Sequence, residues 1–365
     1  QSQEAKSSNG AGKDNTVGQI IVAGEIQGGS EGGIVNEGTI KASDNTAIIV
    51  KESGNITSTN GKSAIVNKGS IEGDIKIQGT LSSIENSSTI KGNIINNGSN
   101  NLEIKNQNSA KIEGNLFNTG KGKLTIENKN NGSSTATISG YIANTGDGSL
   151  MFKNSSTLTG NIYNYGSGKL TIENQTNTQN GNISGYVANI GMGQLELMNN
   201  ASISGSAYNI GGGSLMLNNS STLKSVYNYG SGDLKIENKN SATINSIMNQ
   251  GSGNVILDNS ATITQGITNQ GTGNLMITNQ SGASIENISN ESSGDVMLNN
   301  TGSITKGITN SGNGNLNLTN QENATISGGI TNSGSGTLML SNFGSIGINT
   351  DGFNISNEGS GSVNI

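Results

Sequence analysis

The chain has no cysteine, proline, tryptophan or histidine, and every cation in it is a lysine. Without histidine or cysteine there is no imidazole base, no thiolate nucleophile, and no ordinary zinc, haem or iron–sulfur site. The lack of arginine and a net charge of −6 speak against nucleic acid or anionic lipid as partners. No apolar run approaches the roughly 18 residues of a membrane-spanning helix. The absence of cysteine is neutral on redox compartment. It does suit a chain that crosses membranes unfolded, where a premature disulfide would block passage. The chain opens on Gln1 rather than Met, which fits removal of an export signal.

Charged residues make up 12% of the 365 positions and glycine fills 56 of them, a composition that by itself argues for disorder. A strict internal period overrules it. Leu170–Gly193 states the unit: Leu-x-Ile-x-Asn, a spacer, Ile-x-x-x-Ile-x-Asn, then Gly-x-Gly. Apolar and polar residues alternate within each half, the period-two signature of a strand. Two such runs, separated by Gly, Ser and Asn and repeated about every 21 residues, describe one coil of a β-solenoid. Length alone suggests two or three domains. A solenoid grows in one dimension, so one continuous all-β domain is expected, a right-handed parallel β-helix of roughly 16 coils.

Residues 1–16 contain no apolar side chain larger than alanine and read as a flexible end. Residues 17–100 are strand-like but irregular, and read as longer coils closing the N-terminal end. Their recurring phrase Ile-Val-Asn-x-Gly-x-Ile places Asn36, Asn67 and Asn96 in one looser series. From 101 to 365 the repeat is regular, with first strands starting at Leu102, Leu124, Leu150, Leu170, Leu195, Leu215, Leu234, Val255, Leu275, Val296, Leu316 and Leu338. The two longest spacings hold extra residues at one corner, 130–136 and 176–182, which should form loops on one side. Ser362–Ile365 reads as the start of another coil, and further coils are expected beyond it.

Two asparagine columns run through the repeat. One ends the first strand at Asn106, Asn128, Asn154, Asn174, Asn199, Asn219, Asn238, Asn259, Asn279, Asn300, Asn320 and Asn342. The other precedes Gly-x-Gly at Asn118, Asn144, Asn164, Asn189, Asn209, Asn228, Asn249, Asn269, Asn290, Asn310, Asn332 and Asn357. Both share the inward parity of Leu and Ile. Amides stacked about 4.8 Å apart can bond their copies above and below, so these are expected to be structural ladders. Burying a few aliphatics per coil cannot offset the entropy of ordering the backbone, so bonds between coils must supply the rest. An isolated coil should not fold.

No residue set for catalysis, a cofactor or a metal is identified, and the chain is read as not an enzyme. The aspartates are scattered, and the Gly-x-Gly pairs precede strands rather than the helices that phosphate loops need. Outward ranks such as Thr157/Thr159, Thr262/Thr264 and Thr325/Ser327 resemble those of ice-binding solenoids. Lys111/Glu113, Lys224 and Glu286 interrupt them, and ordinary strand propensity explains them better. The candidate contact surface is instead the outward flank of the second asparagine column: Tyr163, Tyr165, Ile190, Tyr208, Ile210, Tyr227, Tyr229 and Met248. Five of the seven tyrosines fall there. A methionine stripe flanks the first strand at Met151, Met216, Met276, Met297 and Met339. Exposed apolar columns of this length mark contact surfaces.

The phrases GNLFNTGKGKLTIEN, GNIYNYGSGKLTIEN and GYVANIGMGQLELMN resemble repeats in autotransporter passenger domains, nearest the vacuolating-cytotoxin-like and adhesin-like passengers of Gram-negative bacteria. GIVNEGTI and SAIVNKGSI resemble the same broad class, including haemagglutinin-type solenoids. The resemblance implies a β-helix exported across the outer membrane and displayed at the cell surface or released outside it. It also implies adhesion or autoaggregation, the partner being a component of a host or neighbouring cell surface, or another copy. The alternative it leaves is a subunit that assembles into filaments or a surface layer, and the third a toxin-like passenger. The family's C-terminal β-barrel and serine-protease module have no counterpart in these residues.

Overall fold

In the computed structural model the described residues are 5–6, 16–59, 61–132, 134–176 and 181–365. The chain is all-β, a solenoid of about 16 turns whose parallel coils recur about every 21 residues. It divides into two compact units, Gln1–Tyr186 with Met192–Leu195, and Val187–Gly191 with Glu196–Ile365.

Each regular coil contributes three strands, as in the second unit with Leu234–Asn238 followed by Thr243–Asn249, where the last two strands run together. In the first unit the same three are separate: Leu150–Ser155, Thr157–Leu158 and Ile162–Asn164. Within each unit the strands pair in parallel with their counterparts one coil on. The pairing keeps residue type: Leu234, Val255, Leu275 and Val296 stand in one column, and Asn238, Asn259, Asn279 and Asn300 in another. A slip by one residue would turn every aliphatic outward, so the alternation fixes the register. The core it builds is hydrocarbon, with Ile, Leu, Val, Ala and the single Phe152 as its buried apolar side chains among the described residues.

The asparagines of both columns are buried inside this core except at the ends, where Asn342 and Asn357 are exposed. Within each unit the buried asparagines donate from Nδ2 to Oδ1 of the asparagine one coil further, in the same direction from coil to coil. In the second unit Asn209, Asn228, Asn249 and Asn269 are joined at 3.0, 2.9 and 2.9 Å. Asn219, Asn238, Asn259 and Asn279 are each joined at 2.9 Å. The second amide hydrogen is also used, since Asn228 donates to Gly253 O at 3.1 Å and Asn209 to Gly232 O at 2.9 Å. Both amide hydrogens and the oxygen are therefore satisfied without water, which is what permits a polar column in an apolar core.

The Gly-x-Gly glycines are needed for approach rather than for backbone sign. A Cβ on Gly253 would lie 2.0 Å from Gly232 O, and one on Gly232 would lie 2.0 Å from Gly213 O, while neither residue has a positive φ. Coils stacked this closely leave no room for a methyl group at the turn.

The N-terminal region departs from the expected grouping in one respect. Asn36 and Asn67 do not belong with Asn96. They run through Asn86 into Asn106, with bonds of 2.7, 2.7 and 2.8 Å, whereas Asn96 donates to Asn118 in the other ladder. The Ile-Val-Asn phrase is thus a first strand, and Ile94–Asn96 a third strand, a distinction the shared Ile-x-Asn ending conceals. A separate parallel sheet, Glu25–Gly28, Asn55–Ser58 and Thr80–Leu81, occupies the corner that the Gly-x-Gly turn takes later. Strand structure also begins earlier than residue 17: Ala5–Lys6 pairs with Ile34–Val35, and Thr16–Val17 with Thr39–Ile40. The rest of the expected flexible end, 1–4 and 7–15, lies outside the described residues, as do 133 and 177–180 of the two corner insertions.

Candidate functional site

The third strand of each coil reads Ile-x-Asn, and because Ile and Asn point inward, x points out. Parallel pairing then lines up the x residues as Ile95, Phe117, Ala143 and Tyr163 in the first unit. In the second they are Ala188, Tyr208, Tyr227, Met248 and Thr268. The residue just after the asparagine points out as well, and supplies Tyr165, Ile190, Ile210 and Tyr229 beside that column. Tyr165, Ile210 and Tyr229 are exposed, at 47%, 43% and 43% of their surface, while Tyr163, Ile190, Tyr208, Tyr227 and Met248 are half-buried.

Two ring clusters result. In the first unit Tyr163 is the hub. Its ring stacks on Tyr165 at 5.3 Å between centroids and meets Tyr141 and Tyr186 edge-on at 5.8 and 5.6 Å. Its hydroxyl lies 2.8 Å from that of Tyr186 and accepts from Asn161 Nδ2 at 3.0 Å. In the second unit Tyr208, Tyr227 and Tyr229 are near-parallel, with interplanar angles of 10°, 4° and 13° and centroids 5.1, 5.8 and 6.4 Å apart. Offset-stacked and edge-to-face pairs in this range add to area burial and hold the rings in fixed orientations. Partial burial, with Tyr163 and Tyr141 close by, pushes the Tyr165 phenol up. Partial burial, with Tyr227 and Tyr208 close by, does the same to Tyr229. The Tyr165 and Tyr229 phenols therefore stay uncharged through neutral pH.

Tyr141 and Tyr186 were not expected in this surface, nor was Phe117. Their signal is the phrase Gly-Tyr-Ile-Ala-Asn and its variant Gly-Tyr-Val-Ala-Asn, where the x position is only alanine. Ala143 stands in register between Phe117 and Tyr163, and the Tyr141 ring touches both at 5.4 and 5.8 Å. The ring therefore bridges the gap that the small side chain leaves. Strand parity puts Tyr141 on the same outward side as Ala143, and only the coils above and below show where its ring goes.

Past the aromatics the same face turns polar. Gln250 donates to Gln270 at 2.7 Å and Gln270 to Glu291 at 2.9 Å, one coil after another. The first-strand sheet carries the methionine stripe, and Ile256, unremarked in the sequence, joins Met276 and Met297 in consecutive register. At the turn before five consecutive first strands of the second unit lies a third ladder that the sequence pattern hid. Asp233, Asn254, Asn274, Asp295 and Asn315 each accept the backbone N–H of the next coil through Oδ1, at 2.7–3.1 Å. Asp233 and Asp295, scattered along the chain, thus serve one column. No group of three or more Asp or Glu side chains that could hold a metal ion occurs among the described residues.

No family model matches this chain, and neither a curated protein nor a solved structure is similar to it. The fold and its surfaces therefore carry the functional reading.

Proposed function

We propose that this chain is a surface-displayed β-helix of the autotransporter-passenger kind, with a structural and adhesive role, and that the tyrosine-bearing strand face is its working surface. One observation supports it above the rest. All seven tyrosines of the chain stand outside the core, and each takes part in one of two ring clusters, one in each unit, on or beside the third strand of its coils. Rigid, amphipathic rings give large contact area at low entropic cost, and aromatics dominate interface energetics. The partner on this reading is a component of a host or neighbouring cell surface, reached after export to the cell exterior.

Replacing Tyr163, Tyr208 and Tyr227 with Ser tests it. The β signal in circular dichroism should persist, because these side chains lie outside the aliphatic core. Binding to cells, or clumping of cells that display the protein, should fall severalfold. Salt should matter little, since the stripe holds few charges. The control replaces Thr157, Thr262 and Thr325 with Ala on the second strand. If that variant loses binding while the tyrosine variant keeps it, the working face is misassigned. Imaging of dilute purified protein separates cell adhesion from assembly into filaments or a surface layer.

A further inference from the structure

Methionine is ordinarily among the residues most often found fully buried. Here none of the eight is. Met192, Met297 and Met339 are exposed at 74%, 43% and 42%, and Met151, Met198, Met216, Met248 and Met276 are half-buried. The tyrosines are also outside, and cysteine and tryptophan are absent. Every side chain that mild oxidants attack therefore faces outward, and the core consists of hydrocarbon and asparagine amides they leave alone.

The methionines are concentrated where oxidation changes a surface. Ile256, Met276 and Met297 stand in register on three consecutive first strands, with Lys235 one coil before and Asn317 one coil after. They line an open groove of about 590 Å³, bordered also by Glu237 and Thr319. We propose that this groove is a reversible oxidation site: Met276 and Met297 take one oxygen each from a two-electron oxidant such as hypochlorous acid, and the stripe turns from apolar to polar with the fold intact.

In that step a sulfur lone pair attacks the oxygen of HOCl. The S–O bond forms, the O–Cl bond breaks, chloride leaves, and the hydroxyl proton passes to water. Sulfur is oxidised by two electrons and the oxidant reduced to chloride. Two thiols of a sulfoxide reductase reverse it, giving the thioether, a disulfide and water. A sulfoxide in a core would leave a strong acceptor buried without a partner. At these outward positions its oxygen stays hydrated, so nothing in the stack has to open.

The test uses the whole chain and graded hypochlorite. Three readouts are needed: peptide mass mapping, circular dichroism, and the fluorescence of 1-anilinonaphthalene-8-sulfonate as a probe of apolar surface. Met276 and Met297 should each gain one oxygen while the β signal and melting temperature hold. Probe fluorescence should drop severalfold, and methionine sulfoxide reductase should restore it. Met276→Leu/Met297→Leu, checked by circular dichroism to be folded, should keep its probe signal through the same treatment. The proposal is overturned if the β signal collapses at doses that oxidise the pair, or if the pair stays unmodified once Met192 is fully converted. It is equally overturned if the parent binds no probe at the outset, or if the double leucine variant loses its signal as the parent does.

Discussion

Asn228 sits between Asn209 and Asn249 and reaches across to Gly253, so three groups depend on one side chain. Asn228→Ala strips a donor hydrogen of its acceptor and leaves Asn249 Oδ1 and Gly253 O short of a donor in a dry interior. At about 1 kcal/mol or more for each orphaned group, the loss should reach about 3 kcal/mol. Gly253→Ala should be at least as damaging, because its methyl group would fall on backbone oxygen rather than on a side chain that can move. Asn131→Ala is the comparison: Asn131 is exposed and donates to Asn108 at 3.0 Å, and surface changes of this kind usually stay within about 0.5 kcal/mol. Urea denaturation of the three variants checks this, and equal midpoints for Asn228→Ala and Asn131→Ala would contradict it.

At the scale of the strand, the ionisable groups act only at the extremes of pH. The Lys239 ammonium, hydrogen-bonded to the Glu237 carboxylate on the first-strand sheet, holds that carboxyl below its usual range. Lys41 does the same for Glu72. A lowered carboxyl contributes stability that is present above its unfolded pKa and is lost as pH falls through the lowered folded value. The raised phenols of Tyr165 and Tyr229 have the opposite sign. Their contribution is complete below the unfolded value, about pH 10, and is lost as pH rises beyond it. No histidine titrates in between. Denaturation midpoints should be flat from about pH 5 to about pH 9 and fall on both sides. Lys239→Gln should soften the acid limb and leave the alkaline limb unchanged.

At the scale of the whole chain, a repeat in which each coil meets only its neighbours should tolerate the loss of a complete unit. Deleting Leu234 to Asn254 joins Asp233 to Val255, brings Asn219 beneath Asn259 and Asn228 beneath Asn269, and keeps every inward position inward. Deleting only Leu234 to Thr243 removes a first strand and sets unlike columns against each other. The first deletion should keep the β signal and a cooperative melt, and the second should lose both. If both variants melt alike, the columns do not set the stack.

Much of this fold could be read from the sequence, because a stacked coil repeats its environment and so repeats its residues. Leu-x-Ile-x-Asn states strand, inward parity and register at once, and the two asparagine columns follow from spacing alone. The legible part ends where a side chain's place depends on the coil above rather than on its own strand. Tyr141 looks like a residue between strands, yet its ring spans Ala143 to join Phe117 with Tyr163. Asn96 looks like a continuation of Asn67, yet donates into the other ladder. Ile256 passes for an ordinary strand residue until pairing sets it against Met276 and Met297. Periodicity within a strand is local and is written in the chain. Neighbourhood across strands is set by how many residues each corner spends, and irregular corners erase that count until the coils are stacked.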